Sequence, residues 1–293
     1  KVHVLTHTLH YGLGVFEGIR AYHAEKGTAI FRMQEHTDRL FRSAHIMNMA
    51  MPYTKNEINQ ACRDAVAKNK LDSAYIRPMC FYGSEGMGLR ADNLKVHVMI
   101  AAWSWGSYLG AESIEQGIRI RTSSYTRNHH NSTMCKAKAN GNYINSILAL
   151  QEALANGYDE ALMLDHEGFA AEGSAENLFV IRNGKIYTPE TTSALEGITR
   201  DTVITIAREQ GFEVIEKPIK ISEIIEASKK GILEEGFGTG TAVGIAMIDE
   251  IGNNDFTIKF PENNPVSMMV NDTLNAIKLQ KEEDKFGWIV EAK

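Results

Sequence analysis

The 293-residue chain carries 31 Lys and Arg against 37 Asp and Glu, a formal net charge of -6 with a pI near 6.0, and is 43% hydrophobic and 23% charged. That balance, with no run of Lys or Arg, argues against a nucleic-acid partner, and no stretch approaches the roughly 18 continuous apolar residues of a membrane span. The length allows two domains or one large one. Cys62, Cys80 and Cys135 are odd in number and never in C-x-x-C spacing. A disulfide framework and a zinc site are therefore not expected, and a reducing, cytoplasmic setting is. His3, His7, His10 and the pair His129-His130 have no acid or cysteine at ligand spacing, so no metal is expected. There is no signal-peptide pattern, and the chain starts at Lys1 inside strand-like sequence, so preceding residues are expected.

In chain order, Val2-His3-Val4 and Thr28 to Arg32 read as short strands on either side of turn sequence from Tyr22 to Gly27. Amphipathic helices follow at about 35–49, with Leu40, Ala44 and Met47 in register, and at about 56–69, with Ile58, Cys62, Ala65 and Val66 on one face. Strands are expected at 74–82 and 96–102. Trp103 to Gly110 holds two glycines and three aromatics, a poor strand or helix interior and a plausible linker. The division is a small α/β domain at 1–102, a linker at 103–112 and a larger domain at 113–293. Within the latter, a strand at 118–122 precedes a helix whose apolar positions are Ile144, Ile147, Leu148 and Leu154 and which stops at Asn156-Gly157. Strands at 160–165, 177–182 and 185–188 lead to a helix from Gly197 to Gln210, with Thr199 as its N-cap and Gly211 as its stop. A strand at 212–215, a helix at 222–230, a glycine-rich loop at 236–242 and a helix at 266–281 complete the chain. No repeat is visible, and the irregular alternation indicates a mixed α/β chain.

Four features carry chemistry. Lys138 lies among small residues just before Gly141 and a helix; such a lysine is either a solvated surface charge or, desolvated, a Schiff-base former. Gly197-Ile198-Thr199-Arg200 brings amides, a hydroxyl and a helix dipole to one point, and Gly238-Thr239-Gly240-Thr241 offers bare amides and hydroxyls. Both suit an anion, although neither nucleotide motif, G-x-x-x-x-G-K-[ST] or G-x-G-x-x-G after a strand, is present. Glu172 and Glu176 flank a glycine turn, either as solvated acids or as a carboxylate aimed at a cationic ring. Lysine, two anion cradles and an acid together describe a pyridoxal-phosphate site.

Five motifs occur in order: Tyr11-Gly12-x-Gly14-Val15-Phe16-Glu17-Gly18-Ile19-Arg20, Ala74-Tyr75-Ile76-Arg77-Pro78, Lys138-Ala139-Asn140-Gly141-Asn142-Tyr143, Glu172-Gly173-Ser174-Ala175-Glu176-Asn177-Leu178-Phe179 and Gly197-Ile198-Thr199-Arg200-Asp201. The chain thereby resembles the branched-chain amino acid aminotransferases of pyridoxal-phosphate fold type IV, from near residue 1 to about 220 and again at 283–288. The resemblance implies a two-domain fold whose larger C-terminal domain has a β-barrel-like core, with pyridoxal 5'-phosphate at the domain interface. It implies a ping-pong transamination between L-leucine, L-isoleucine or L-valine and 2-oxoglutarate, and self-association into at least a homodimer, or a hexamer.

By position, the resemblance makes Lys138 the cofactor-bearing, proton-shuttling lysine, Tyr143 a partner of the cofactor phenolate and Glu172 the partner of the pyridine nitrogen. Arg39, Ile198, Thr199 and Thr241 would hold the phosphate, and Leu195 would pack on the ring. Phe16, Trp105, Tyr108 and the partner subunit's Tyr11 would line the side-chain pocket. Arg77 would take the distal carboxylate of glutamate, and Tyr75 with Thr241-Ala242 the α-carboxylate. Two departures stand out: Val243-Gly244-Ile245-Ala246-Met247-Ile248 replaces the family's usual acid or valine followed by Ile-Thr-Pro, and the C-x-x-C pair of some animal members is absent. D-specific relatives carry an Arg-x-His pair after the strand at 75–82, where this chain has Tyr82-Gly83-Ser84-Glu85.

Overall fold

The computed structural model describes residues 1–106 and 117–292, so Tyr108 and most of the expected linker lie outside the described residues. Two units result: Lys1–Trp105 with Ala137–Asn142 and Ala276–Lys293, and Gly106–Lys136 with Tyr143–Asn275.

In the first unit, a short helix α1 (His7–Tyr11) precedes β1 (Gly14–Phe16), β2 (Ile19–Ala24) and β3 (Gly27–Phe31). Helices α2 (Met33–Ile46) and α3 (Lys55–Lys68) then lead into β4 (Ala74–Tyr82) and β5 (Val96–Trp103). The sheet order is β1-β4-β2-β3 and then the C-terminal strand Ile289–Glu291, with β5 also on β4. Strands β1 and β2 occupy successive lengths of β4, Gly14–Phe16 against Met79–Phe81 and Ile19–Ala21 against Ala74–Ile76. Between them the chain crosses at Glu17-Gly18, with Glu17 N bonded to Pro78 O at 2.9 Å. That crossing turns Glu17 inward, fully buried. Helix α3 starts on a capping box between Thr54 and Glu57. It lays Ile58, Cys62 and Val66 on a core with Val15, Ile19, Leu40 and Ile76.

The second unit is built on a nine-stranded sheet. Its strands are β6 (Ile118–Thr122), β7 (Glu160–Leu164), β8 (Ala170–Gly173), β9 (Asn177–Arg182), β10 (Lys185–Thr188), β11 (Val214–Glu216), β12 (Leu233–Gly240), β13 (Gly244–Gly252) and β14 (Thr257–Lys259). The order is β11-β10-β9-β12-β13-β6-β7-β8, with β14 on β13. Five pairings separate β9 from β8, about 24 Å in a flat sheet, yet the connection from Gly173 to Asn177 reaches about 14 Å at most. The sheet must therefore curl, which is the barrel-like core the resemblance implied. Phe179 and Phe237, both fully buried, stack inside it at 4.9 Å. Around it lie α4 (Tyr143–Ala155), α5 (Ile198–Glu209) and α6 (Ile221–Lys229), while α7 (Pro265–Lys278) leads out of this unit.

Several elements depart from expectation. Val2-His3-Val4 is not a strand, and Tyr22 to Ala24, read as turn, ends β2, where Ile19, Ala21 and Ala24 are buried. Residues 236–240 belong to β12 rather than to a loop, because paired neighbours on both sides use the backbone groups that the glycines leave bare. Thr199 lies inside α5; Gly197 is the N-cap and there is no side-chain cap bond. Helix α4 is present as expected, with Ser146, Ala149 and Ala153 buried and the apolar positions Ile144, Ile147, Leu148 and Leu154 exposed. Periodicity locates a helix without saying which side is covered.

Candidate active site

In the first unit, Lys138 is held by its backbone. Its N–H donates to Ser43 Oγ at 3.0 Å, and its carbonyl accepts from Phe16 N at 3.0 Å. Its neighbours Ala137 and Ala139 are buried, and Ala139 bridges to Val15 on β1. Lys138 Nζ stands 5.1 Å from the Phe16 ring centroid. A 3-10 turn (Asn140–Asn142) follows, with Gly141 N bonded to Gly12 O at 3.1 Å. Gly12 has φ 71, a left-handed conformation that favours glycine over residues with a side chain.

Arg39 forks onto Glu17, Nε to Oε1 at 2.6 Å and Nη2 to Oε2 at 2.8 Å, and His36 Nδ1 reaches Oε2 at 2.7 Å. Burial alone would raise the Glu17 pKa. The Arg39 charge and the hydrogen bonds from Arg39 and His36 outweigh it and hold the carboxyl far below the usual range. Burial lowers the His36 pKa against the pull of Glu17, aided by the charges of Arg39 and Lys138. The neutral ring then donates from Nδ1. The sequence quoted Glu17 in a motif but gave no sign of this pair.

Arg77, Phe16 and Tyr75 form a second group. The Arg77 guanidinium is 4.6 Å from the Phe16 ring centroid and 5.3 Å from that of Tyr75, and its buried Nε has no hydrogen-bond partner. Trp105 meets Tyr75 edge-on at 4.5 Å, and its carbonyl accepts from Arg20 Nη1 at 2.7 Å. A Cβ at Gly18 would collide with the Tyr75 hydroxyl, so Gly18 makes the room that this tyrosine occupies. Tyr11 is exposed; its hydroxyl accepts from Gly88 N at 3.2 Å.

In the second unit, Glu172 on β8 is buried and fixed on both oxygens. Arg127 Nε and Nη2 both reach Oε1 at 2.8 Å, and Leu195 N donates to Oε2 at 3.2 Å. Arg127, itself buried, is braced by Asn145 Oδ1 at 3.1 Å near the start of α4, the helix that opens with Tyr143. No local pattern pointed to Arg127: the pair spans 45 residues and forms because β7 lies between β6, which leads to Arg127, and β8, which carries Glu172. Asn177 Nδ2 donates to Leu195 O at 3.1 Å. A Cβ on Gly197 would collide with Asn177 Oδ1, so the turn entering α5 needs glycine. Ile198 and Thr199 are buried in the first turn. Thr239 Oγ1 and Ser193 Oγ are buried without partners. Thr241 and Ala242 form the turn between β12 and β13, half-buried. A groove of about 720 Å³ in this unit is lined by Ile245, Met247, Asp249, Met268 and Asp272 among others, and by none of the expected site residues.

A lysine presented beside an aromatic, a buried ion-paired carboxylate, and a glycine-opened helix N-terminus are the equipment of carbonyl–amine chemistry on an anionic cofactor. The amino-transferase class IV family profile matches residues 14–251, and the chain belongs to that family. It is 63% identical over 249 residues to a branched-chain-amino-acid aminotransferase of Pseudomonas aeruginosa, spanning 85% of this chain and 79% of the relative. The branched-chain amino acid aminotransferase structure of Escherichia coli is similar at TM-score 0.93 and 41% identity, spanning 100% of this chain and 94% of the other. The branched-chain amino acid aminotransferase of Thermobaculum terrenum, solved in its PLP-form, matches at TM-score 0.89 and 31% identity, spanning 100% and 94%.

Proposed function

We propose that this chain is a branched-chain-amino-acid transaminase that moves the amino group between L-leucine, L-isoleucine or L-valine and 2-oxoglutarate, with pyridoxal 5'-phosphate. The observation that carries the reading is the Arg127–Glu172 pair, a buried carboxylate held by a guanidinium in a class IV aminotransferase chain. The donor set fits the cofactor. Gly197 opens α5 without a side-chain cap, Thr239 keeps a buried hydroxyl unpartnered, and Lys138 supplies an amine.

When bound, pyridoxal phosphate supplies the aldehyde carbon that takes the amino group and a cationic ring that draws electrons from Cα. Lys138 would hold it covalently and, once displaced by the substrate amine, carry the proton at Cα. Glu172 would keep the ring nitrogen protonated, since Arg127 fixes its charge and position. Tyr143 would donate to the phenolate oxygen and Leu195 would pack on the ring. The amides and hydroxyls of Ile198, Thr199 and Thr241 would seat the phosphate, with positive charge from Arg39, oriented by Glu17.

Tyr75 and the Thr241-Ala242 turn would take the α-carboxylate. Phe16, Trp105, Tyr108 and the partner subunit's Tyr11 would enclose an aliphatic side chain, and Arg77 would receive the distal carboxylate of glutamate. The unpartnered Arg77 Nε supports that role, because a buried guanidinium N–H calls for an acceptor. A pocket completed by the partner subunit's Tyr11 implies at least a homodimer, or a hexamer. Among the described residues no helix is long and apolar enough to cross a membrane. The three cysteines are free and buried, which supports a cytoplasmic setting. The test is a panel of L- and D-amino acids with 2-oxoglutarate. Turnover confined to L-leucine, L-isoleucine, L-valine and L-glutamate supports the reading, and turnover of the D-isomers instead overturns it.

A further inference from the structure

The groove between β13 and α7 holds none of the residues placed above at the cofactor or the substrate. Its volume of about 720 Å³ lies within the range of small-molecule pockets. One wall comes from the stretch Val243 to Ile248, where the sequence departs from the family pattern. Ile245, Met247 and Asp249 alternate along β13 and so share one of its faces. A second wall is α7, where Met268, Asn271 and Asp272 fall at i, i+3 and i+4 and share one side. Glu262 and Asn264 line the groove from the connection that enters α7.

Charge selects the occupant first. The lining carries three carboxylates, Asp249, Glu262 and Asp272, and no Lys, Arg or His. Among the described residues none of the three joins an ion pair or accepts a hydrogen bond through its side chain. Exposed acids elsewhere on the chain pair with a base close by, as Asp64 does with Lys68 and Glu226 with Lys230. Three unpaired acids around one concavity focus negative potential on a chain already at net charge -6. Asn264 adds an acceptor: its Nδ2 donates to Glu262 O at 3.3 Å, while its Oδ1 is buried with no partner. A buried acceptor left open calls for a donor. The N-terminus of α7 does not oppose a cation, because the buried Glu235 carboxylate already accepts from Val266 N at 2.9 Å and Ser267 N at 2.8 Å.

Shape and polarity select it further. Ile245, Met247 and Met268 set apolar surface alongside the acids, and methionine adapts to a flexible chain. A bare metal ion would leave most of the volume unfilled, and the described acids are not grouped as metal ligands. A neutral apolar molecule would leave the carboxylates unmet. From these residues we infer that the groove binds an aliphatic polyamine. Its ammonium N–H groups meet Asp249, Glu262, Asp272 and Asn264 Oδ1, and its methylene runs lie on Ile245, Met247 and Met268. Binding there is separate from transamination and uses none of the residues assigned to it.

Isothermal titration calorimetry of the holoprotein with spermidine tests this, with 1,8-octanediol and Mg²⁺ as probes that keep the methylenes or the charge alone. The expected result is one spermidine per chain, with the diol and Mg²⁺ weaker by about tenfold or more. Asp249→Asn/Asp272→Asn keeps the side-chain shapes and should weaken spermidine by about tenfold or more, through lost charge-assisted hydrogen bonds. Glu167→Gln, at an exposed acid outside the groove, should leave the Kd unchanged. The single variant Asp249→Asn, checked by circular dichroism, keeps the test decisive if the double variant misfolds. Cofactor absorbance followed in the same titrations should stay constant, which separates the groove from reaction of a primary amine with the cofactor. No binding of spermidine, equal binding of Mg²⁺ or the diol, or an unchanged Kd in the folded groove variants overturns the assignment. So does binding that tracks a change in cofactor absorbance. None of these outcomes bears on the amino-acid panel.

Discussion

Lys136 and Lys138 stand two residues apart in the same sequence context but not in the same environment. Lys136 Nζ pairs with Glu196 at 2.8 Å, both side chains well exposed, which is a screened surface contact. Lys138 has its backbone pinned to Ser43 and Phe16 and its amine beside an aromatic ring. Lys138→Ala should therefore abolish transamination with the fold intact, whereas Lys136→Ala should keep activity within about twofold; equal losses would contradict the assignment. Glu172→Gln removes a fixed negative charge but keeps the shape, and by the cost of breaking a buried pair, about 3–5 kcal/mol, should slow the half-reaction by two to three orders of magnitude. Stopped-flow decay of cofactor absorbance on mixing with leucine reads this, and a normal rate would show that the acid is elsewhere. Arg127→Met tests the support behind that acid. Without its counter-ion Glu172 is easier to protonate, so the acid limb of the half-reaction rate should move to higher pH, whereas a purely structural arginine would lower stability and leave the limb in place. Arg77→Leu should raise KM for glutamate some 30-fold or more, at about 2–5 kcal/mol for a buried charge contact, with little change for leucine; equal changes would mean that Arg77 holds the α-carboxylate.

At the scale of elements, strands β4, β5, β6, β9 and β10 fall where alternation and β-branched content placed them, because each is bounded by residues that punctuate the chain. The misses have specific physics. β8 was hidden inside an acidic, glycine-containing motif, since a strand of a closed sheet can bury Glu172 once Arg127 neutralises it. β12 was read as a loop because Gly236, Gly238 and Gly240 have low strand propensity. The structure uses them for close approach: a Cβ at Gly238 would collide with Glu176 Oε2, and one at Gly236 would meet the Phe260 ring at 2.6 Å. For α4, the apolar positions marked a helix without marking its covered side. Small residues let a helix sit close on a strand, and its large ones are left for another surface. Enlarging the inner face should therefore cost more than trimming the outer one. Ala149→Leu overpacks a fully buried position and should destabilise by about 1–3 kcal/mol. Ile144→Ala should leave the unfolding of the protomer nearly unchanged. Denaturant melts of both variants at matched dilution decide this, and the opposite ranking would mean that the apolar side of the helix is the covered one.

For the molecule as a whole, the site was legible wherever its residues are neighbours in sequence, as in the lysine, acidic and Gly-Ile-Thr motifs. It was opaque wherever strand pairing or the crossing between two strands makes the contact over a long separation, as in Arg127–Glu172 and Glu17–His36–Arg39. The same burial sorts the molecule's response to pH. Glu17 is depressed, so its contribution to stability is present above its ordinary value of 4.5 and is lost as pH falls through the folded-state range. Glu176 runs the other way. Burial raises its pKa well above 4.5, the nearby Glu160 charge adds to the rise, and neither of its oxygens has a hydrogen-bond partner. Glu160 is itself raised by burial, against hydrogen bonds from Ala161 N and from Ser174. From pH 4.5 upward the folded state keeps a proton that the unfolded chain releases, so this pair removes stability as pH rises. Glu176→Gln is neutral at every pH and can donate its amide to Glu160. Between pH 5 and 8 the wild-type Tm should therefore fall relative to that of the variant, which ends about 2–4 °C higher at pH 8. Near pH 4 the two curves should meet. Parallel curves across the range would mean that Glu176 is ionised in the folded protein and that an unseen cation or donor satisfies it.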